Sequence, residues 1–215
     1  MFVRERMTPN PVTITKDTSV SDALRLMREK KVRRLPVLDG RGQLIGIVSD
    51  NDLLYASPSP VTSLSVWEMH ELLYKLKVDK VMTKKVITVT EDTPLEEAAC
   101  IMADSKIGGL PVMSGKKMVG IITETDVFKA FLALFGARRP GVRITVSTSG
   151  DKGTMAKIAG AILSVGGDIV GLGLSEPTPA DPRWQITFKV QDVPQDRLFD
   201  AIQPVVDEIL DVRET

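Results

Sequence analysis

Two short segments hold the residues best suited to chemistry: Gly46-Ile47-Val48-Ser49-Asp50-Asn51-Asp52 and Gly120-Ile121-Ile122-Thr123-Glu124-Thr125-Asp126. Each runs glycine, two apolar residues, a hydroxyl residue, and an aspartate three positions later. At a junction from strand to helix, free backbone N–H groups and the positive helix end favour a phosphate, and a hydroxyl adds one hydrogen bond. A carboxylate one turn further on can accept both hydroxyls of a ribose, as an acidic residue does in dinucleotide folds. These pieces suit a nucleotide, with Ser49, Asp50, Asp52, Thr123, Glu124 and Asp126 as the candidate set. The same spacing is close to a capping box, in which the two side chains satisfy the first amides of their own helix. On spacing alone the two readings stand level.

Other chemistry finds few residues to work with. The single cysteine, Cys100, excludes an intrachain disulfide, and with the single histidine, His70, no Cys/His or multi-His metal site can be assembled. His70 reads as a helix-surface or packing residue and Cys100 as a small core hydrophobe. There is no Gly-Lys-Ser/Thr phosphate loop, no nucleophile elbow and no Ser/His/Asp set, so the expectation is a protein that is not an enzyme and carries no catalytic cofactor.

The elements that position the two segments come from an internal duplication. Residues 7–38 align without gaps on 82–113, with 12 of 32 positions identical, and the register resumes one residue shorter at Gly46 and Gly120. Each copy reads as a β-branched segment (12–14; 86–89), an Asp-Thr helix start, a helix with apolar spacing, and two strands (35–38 with 44–48; 110–113 with 118–122). A second helix closes each copy. A βαββα unit of 55 to 60 residues is small for independent stability, so the two copies are expected to share a core. Residues 57–61 read as a loop and 65–76 as a linking helix. After the hinge-like segment 136–141, the order βαββαβ suggests a ferredoxin-like sandwich with strands at 142–147, 168–174, 184–190 and 210–213 and a second helix over 195–209. The division is 1–60, a linking helix within 61–80, 81–137, and 138–215.

The 28 basic and 28 acidic residues cancel and hydrophobic residues make up 43%. The chain has no cationic field for nucleic acid, no apolar run to span a membrane and no signal peptide, which points to the cytoplasm.

The duplicated unit resembles a pair of CBS domains, on Met-Thr before the first strand (Met7-Thr8, Met82-Thr83), Leu-Pro-Val in the middle, and Gly-h-h-[Ser/Thr]-x-x-Asp at the end, where h is apolar. The resemblance implies an adenosyl ligand: AMP, ADP, ATP or S-adenosylmethionine. It places adenine near Pro11-Val12 or Val86-Ile87 and against Pro36 or Pro111, phosphate near Ser49 and Thr123, and ribose on Asp52 and Asp126. Arg33, three residues before Pro36, stands where the family often keeps a phosphate-contacting base. Copy two has Gly108-Gly109 in place of the two arginines, so unequal sites are expected unless Lys84 or Lys85 substitutes.

The last 74 residues resemble an ACT domain through Asp151-Lys152-Gly153-Thr154 and Gly167-Asp168-Ile169. That resemblance implies an amino-acid ligand near Asp151, Gly153, Thr154 and Asp168, although the usual proline of the turn is Lys152. The order CBS, CBS, ACT resembles the acetoin-utilisation AcuB-type proteins. The class expected is α+β, a regulatory sensor acting as a homodimer on a protein target, and the rival class is an interaction scaffold without ligand.

Overall fold

Thr8 and Pro9 form a two-residue strand, β1, that leaves its own repeat and pairs antiparallel with the second one, Thr8 opposite Ile121 and Pro9 opposite Gly120. The second repeat returns the exchange. Thr83 bridges Ile47, with amide-to-carbonyl distances of 2.9 and 3.0 Å in the two directions. Leading segments are thus traded between the copies, which gives the pair an internal pseudo-twofold relation. The structure is a computed structural model, and residues 1–56, 73–179 and 181–215 are described. These fall into two compact units, Met1–Val127 and Phe128–Thr215.

In the first unit, repeat one contributes β2 (Ile14–Thr15), α1 (Val20–Lys30), β3 (Arg34–Leu38), β4 (Leu44–Ser49) and α2 (Asp50–Tyr55). Repeat two contributes β5 (Val89–Thr90), α3 (Leu95–Ser105), β6 (Gly109–Ser114), β7 (Lys117–Thr123) and α4 (Glu124–Leu134), the last crossing into the second unit. The sheets are ordered β2-β3-β4 and β1-β7-β6-β5. One apolar cluster joins Val20, Ala23, Met27, Leu35, Val37 and Val48 of repeat one to Val78 and Met82 from the lead of repeat two. The expected sharing of a core is visible in those two residues.

Local details depart from the sequence expectation in three places. The β-branched segments pair only at Ile14–Thr15 and Val89–Thr90, because the parallel partners β3 and β6 offer ladder positions only after Pro36 and Pro111. The Asp-Thr pairs do not cap the helices. Ser19 caps α1, its hydroxyl accepting from the Asp22 amide at 3.0 Å, and Pro94 precedes α3, while the Thr18 and Thr93 hydroxyls accept from the amides of Thr15 and Thr90. Cys100 is exposed, since the buried stripe of α3 runs through Leu95, Ala98 and Met102 and leaves position 100 on the outer face. Residues 73–75 are helical; the rest of the linking helix, with His70, lies outside the described residues.

The second unit runs β8 (Val142–Thr148), α5 (Thr154–Ser164), β9 (Asp168–Ser175), β10 (Trp184–Gln191), α6 (Gln195–Ile202) and β11 (Glu208–Glu214), with sheet order β11-β8-β10-β9 and every neighbour antiparallel. That is the ferredoxin-like order. Ile158 and Ile162 of α5 and Leu198 and Ile202 of α6 pack with Ile144, Val146, Ile186 and Phe188, so both helices cover one face. The second helix stops at Ile202 instead of reaching 209, because Pro204 cannot continue it; a 3-10 turn over Gln203–Val205 follows. Segment 136–141 is anchored: Gly136 leaves no room for a side chain beside the Val170 carbonyl, and Gly141 exchanges backbone hydrogen bonds with Thr215.

Candidate functional site

Each strand end turns into its helix through a side-chain clasp. The Ser49 amide and hydroxyl both donate to Asp52 Oδ2, at 2.8 and 2.7 Å, and the Asp52 amide donates back to Ser49 Oγ at 3.2 Å. In repeat two the Thr123 amide and hydroxyl donate to Asp126 Oδ2 at 3.0 and 2.6 Å. The capping box is closed in both directions at Ser49–Asp52, whereas at Thr123–Asp126 only the half in which the carboxylate takes the first amide is formed. It uses one oxygen of each carboxylate, and Oδ1 of Asp52 and of Asp126 makes no hydrogen bond among the described residues.

Space remains beside the first clasp. A cavity of about 370 Å³ is lined by Arg34, Ile47, Ser49, Asp50, Asn51 and Asp52 of repeat one and by Thr83, Lys85, Val86, Ile87 and Lys106–Gly109 of repeat two. That volume lies within the range of small-molecule sites. The exchange of leading segments creates it, because Thr83 is held on Ile47 and so carries Val86 and Ile87 across to Ser49 and Asp52. The strand end of one repeat faces the adenine-side candidates of the other.

The remaining sequence candidates are placed as follows. Asp50 lines the cavity, its amide donating to the Arg33 carbonyl at 3.0 Å, and Glu124 repeats that bond with the Gly108 carbonyl at 3.2 Å. Pro36 and Pro111 are buried in β3 and β6, opposite Ile47 and Ile121, and neither lines the cavity. Pro11 and Val12 are half-buried, Val12 against the core of repeat one. Arg33 is exposed and outside the cavity wall. Its neighbour Arg34 is the arginine that enters, half-buried, with its charge held below the usual guanidinium range first by burial, against the opposing pull of Glu124. Lys84 pairs with Asp79 at 3.0 Å, while Lys85 lines the cavity.

Sequence reasoning missed Arg34 and Lys106. A signal existed for the second: Lys31 and Lys106 are identical in the repeat, and both hold left-handed backbone at φ 54 where their helices end. For Arg34 the signal was the glycine pair opposite. A side chain on Gly108 would overlap Arg34 Nη2 and Glu124 Oε2, and one on Gly109 would come within 3.2 Å of Arg34 Cδ. Gly108-Gly109 makes room for the arginine of the other repeat.

A larger hollow of about 550 Å³ opens between Leu44, Lys84, Val86 and the Thr88–Thr90 and Thr93–Ile101 faces of repeat two. Neither strand-end hydroxyl and carboxylate pair reaches it, so size does not decide in its favour. Among the described residues no group of three His, Cys, Asp or Glu is placed to hold a metal ion, and no helix is long and apolar enough to cross a membrane.

In the second unit, Asp151, Gly153 and Thr154 stand together at the start of α5, with Gly153 at φ 90. Asp168 opens β9 beyond the other end of that helix, whose eleven residues span about 16 Å at 1.5 Å per residue. The chain does not bring Asp168 to the turn.

Comparison with known proteins covers the repeats. The CBS domain profile matches residues 3–59 and 78–133. The structure of CBSX2 in complex with AMP, a protein of Arabidopsis thaliana, is 38% identical with a TM-score of 0.52, over 61% of this chain and 96% of that one. The CBS domain pair of protein MJ0100, in complex with 5′-methylthioadenosine and S-adenosyl-L-methionine, is 26% identical with a TM-score of 0.52, over 65% and 98%. An AcuB-type chain from Vibrio cholerae is 32% identical with a TM-score of 0.51, over 61% and 90%. Two matched copies, a traded leading segment and the repeated strand ends together make the chain a member of the CBS domain family, carrying the domain as a tandem pair.

Proposed function

We propose that the tandem pair is a regulatory sensor for an adenosyl ligand, with AMP as the first candidate, bound in the cavity between Ser49–Asp52 and Val86–Ile87. The observation that carries this reading is the cavity itself: it joins a hydroxyl and carboxylate pair, an apolar wall and three cations, Arg34, Lys85 and Lys106, in one space of nucleotide dimensions. The free oxygen of Asp52 suits a ribose hydroxyl, Ile87, 43% exposed, suits a base, and the cations suit a phosphate. Ligands held by the similar CBSX2 and MJ0100 pairs are of this class. Thr123–Asp126 with Pro11–Val12 is the pseudo-symmetric second position. The chain itself is read as non-catalytic, its output a change of geometry between states that the ligand binds with different affinity.

The second unit is read as an ACT-type module for a small metabolite or for self-association. In that reading the separation of Asp168 from Gly153 makes a single copy an incomplete amino-acid site.

Isothermal titration of the full chain with AMP, ADP, ATP and S-adenosylmethionine tests the sensor reading. Binding by at least one, weakened about tenfold or more by Asp52→Ala, supports it. Absence of heat from all four overturns it. The clasp geometry favours one rival, a scaffold in which Ser49 and Asp52 only finish a helix; there Asp52→Ala lowers stability by about 1 kcal/mol and changes no binding.

A further inference from the structure

Arg34 stands opposite Ser49 in the β3–β4 register, and the pseudo-symmetric position, opposite Thr123, is Gly109. One strand end therefore has an arginine on its neighbouring strand and the other has none. The side chain of Arg34 does not stay with its own repeat. It crosses to the second and fills the space above Gly108, on the side where Glu124, the residue directly after Thr123, also places its carboxylate. Its charged neighbours are Glu124 from one strand end, Asp50 and Asp52 from the other, and Arg33 as a like charge. A half-buried guanidinium calls for anionic partners, and here carboxylates lie near it on two sides without closing an ion pair among the described residues. Lys85 and Lys106, the other cations of the cavity, are exposed and hydrated, so they hold a phosphate less firmly than a partly desolvated planar fork.

We propose that Arg34 is shared by the two strand ends, so that a phosphate bound at the Ser49–Asp52 end draws it away from the Thr123 end and makes the two sites negatively coupled for phosphate-bearing ligands. This deepens the sensor reading and rests on it. An uncharged nucleoside makes no claim on the guanidinium and leaves the sites independent. The glycines of repeat two are then part of the device, because a side chain at position 108 would expel Arg34 from the shared place.

Titration of the full chain with AMP and with adenosine tests the coupling. The expected result is a first AMP bound about tenfold or more tightly than the second, a single detectable AMP being the extreme of that separation, while the two adenosine constants lie within about threefold of one another. Arg34→Ala should weaken the first AMP about tenfold, bring the two AMP constants within about threefold, and leave adenosine unchanged. Should Arg34→Ala fail to fold, Gly108→Ala gives the same readout by displacing the wild-type arginine. Equal AMP constants in the wild type, the same separation for adenosine as for AMP, or a separation that survives both substitutions overturns the sharing while leaving nucleotide binding intact. Failure of both AMP and adenosine to bind overturns the coupling, and the sensor reading falls with it when ADP, ATP and S-adenosylmethionine also give no heat.

Discussion

Met82 seats its sulfur against the backbone of Gly46, and a Cβ on that glycine would lie 2.5 Å from Met82 Sδ and 3.2 Å from the Thr83 carbonyl. Met7 and Gly120 repeat the contact, at 2.5 Å to Met7 Sδ and 3.1 Å to the Thr8 carbonyl. The first glycine of each chemical segment is thus required by the leading Met-Thr of the other repeat. Gly46→Ala should destabilise the first unit by about 1–3 kcal/mol, because the thioether can move but the carbonyl of a paired backbone cannot. Chemical denaturation measures it. In a Met82→Ala background the same substitution should cost less, a coupling that independent sites would not show.

That contact also explains what was readable from the residues. Met7-Thr8, Gly46 and their copies were recognisable as repeated motifs, and the strands followed because Leu35-Pro36-Val37 and Leu110-Pro111-Val112 bring apolar residues bounded by turns. What no single repeat reveals is that the motifs meet crosswise. Asp52 shares its cavity with Val86 and Ile87 because Thr83 lies on Ile47, a long-range pairing that leaves no local periodicity. The choice of Arg34 over Arg33 has the same origin. Arg33 lies before β3 and is exposed, whereas Arg34 opens the strand beside the volume left free at Gly108. Asp168 failed to join Gly153 for a simpler reason: an eleven-residue helix stands between them.

The clasp at Ser49 is a reciprocal one, with three hydrogen bonds among Ser49 and Asp52. Ser49→Ala should lower the stability of the first unit by about 1 kcal/mol. Asp52→Ala should act on the same clasp, so the double variant should fall short of the sum of the singles by about 0.5 kcal/mol or more. Urea denaturation of the four chains completes the cycle. Strict additivity would mean that the two residues stabilise the helix start separately, against the shared Oδ2 geometry.

Acid should loosen the first unit through two carboxylates. Asp39 is held below its usual range by the backbone N–H groups of Gln43 and Arg41, and Asp79 by its hydrogen bond from Lys84. A folded value below the unfolded one, about 3.9, means that the contribution is fully present above about pH 4 and is lost as pH falls through the folded value. Asp39→Asn cannot titrate. The stability difference between wild type and Asp39→Asn, measured by urea denaturation from pH 6 down to pH 2.5, should therefore shrink in acid, and the same should hold for Lys84→Ala through Asp79. A difference constant across that range would mean that Asp39 closes the β3–β4 turn no better ionised than neutral.

Lys189 is only 5% exposed, on the sheet face opposite α5 and α6, and its ammonium donates to the Gly141 carbonyl and the main-chain oxygen of Thr215 at 3.1 and 3.0 Å and to the Thr215 hydroxyl. Burial, and to a lesser degree Arg143, holds its charge below the usual lysine range. For a base whose folded value lies below the unfolded one, about 10.4, the unfolded chain binds more protons in the interval between them, so stability rises with pH there. Below the folded value the desolvation cost is present in full. Lys189→Met removes the titration and keeps the bulk. Denaturation followed by Trp184 fluorescence in a Trp67→Phe background, from pH 7 to pH 10.5, should show wild type gaining on Lys189→Met as the ammonium deprotonates, since the neutral amine still donates to Gly141 and Thr215. Wild type losing ground over that interval would show that the three charge-assisted hydrogen bonds outweigh the desolvation, and that the strand ends of the second unit are held by the charge itself.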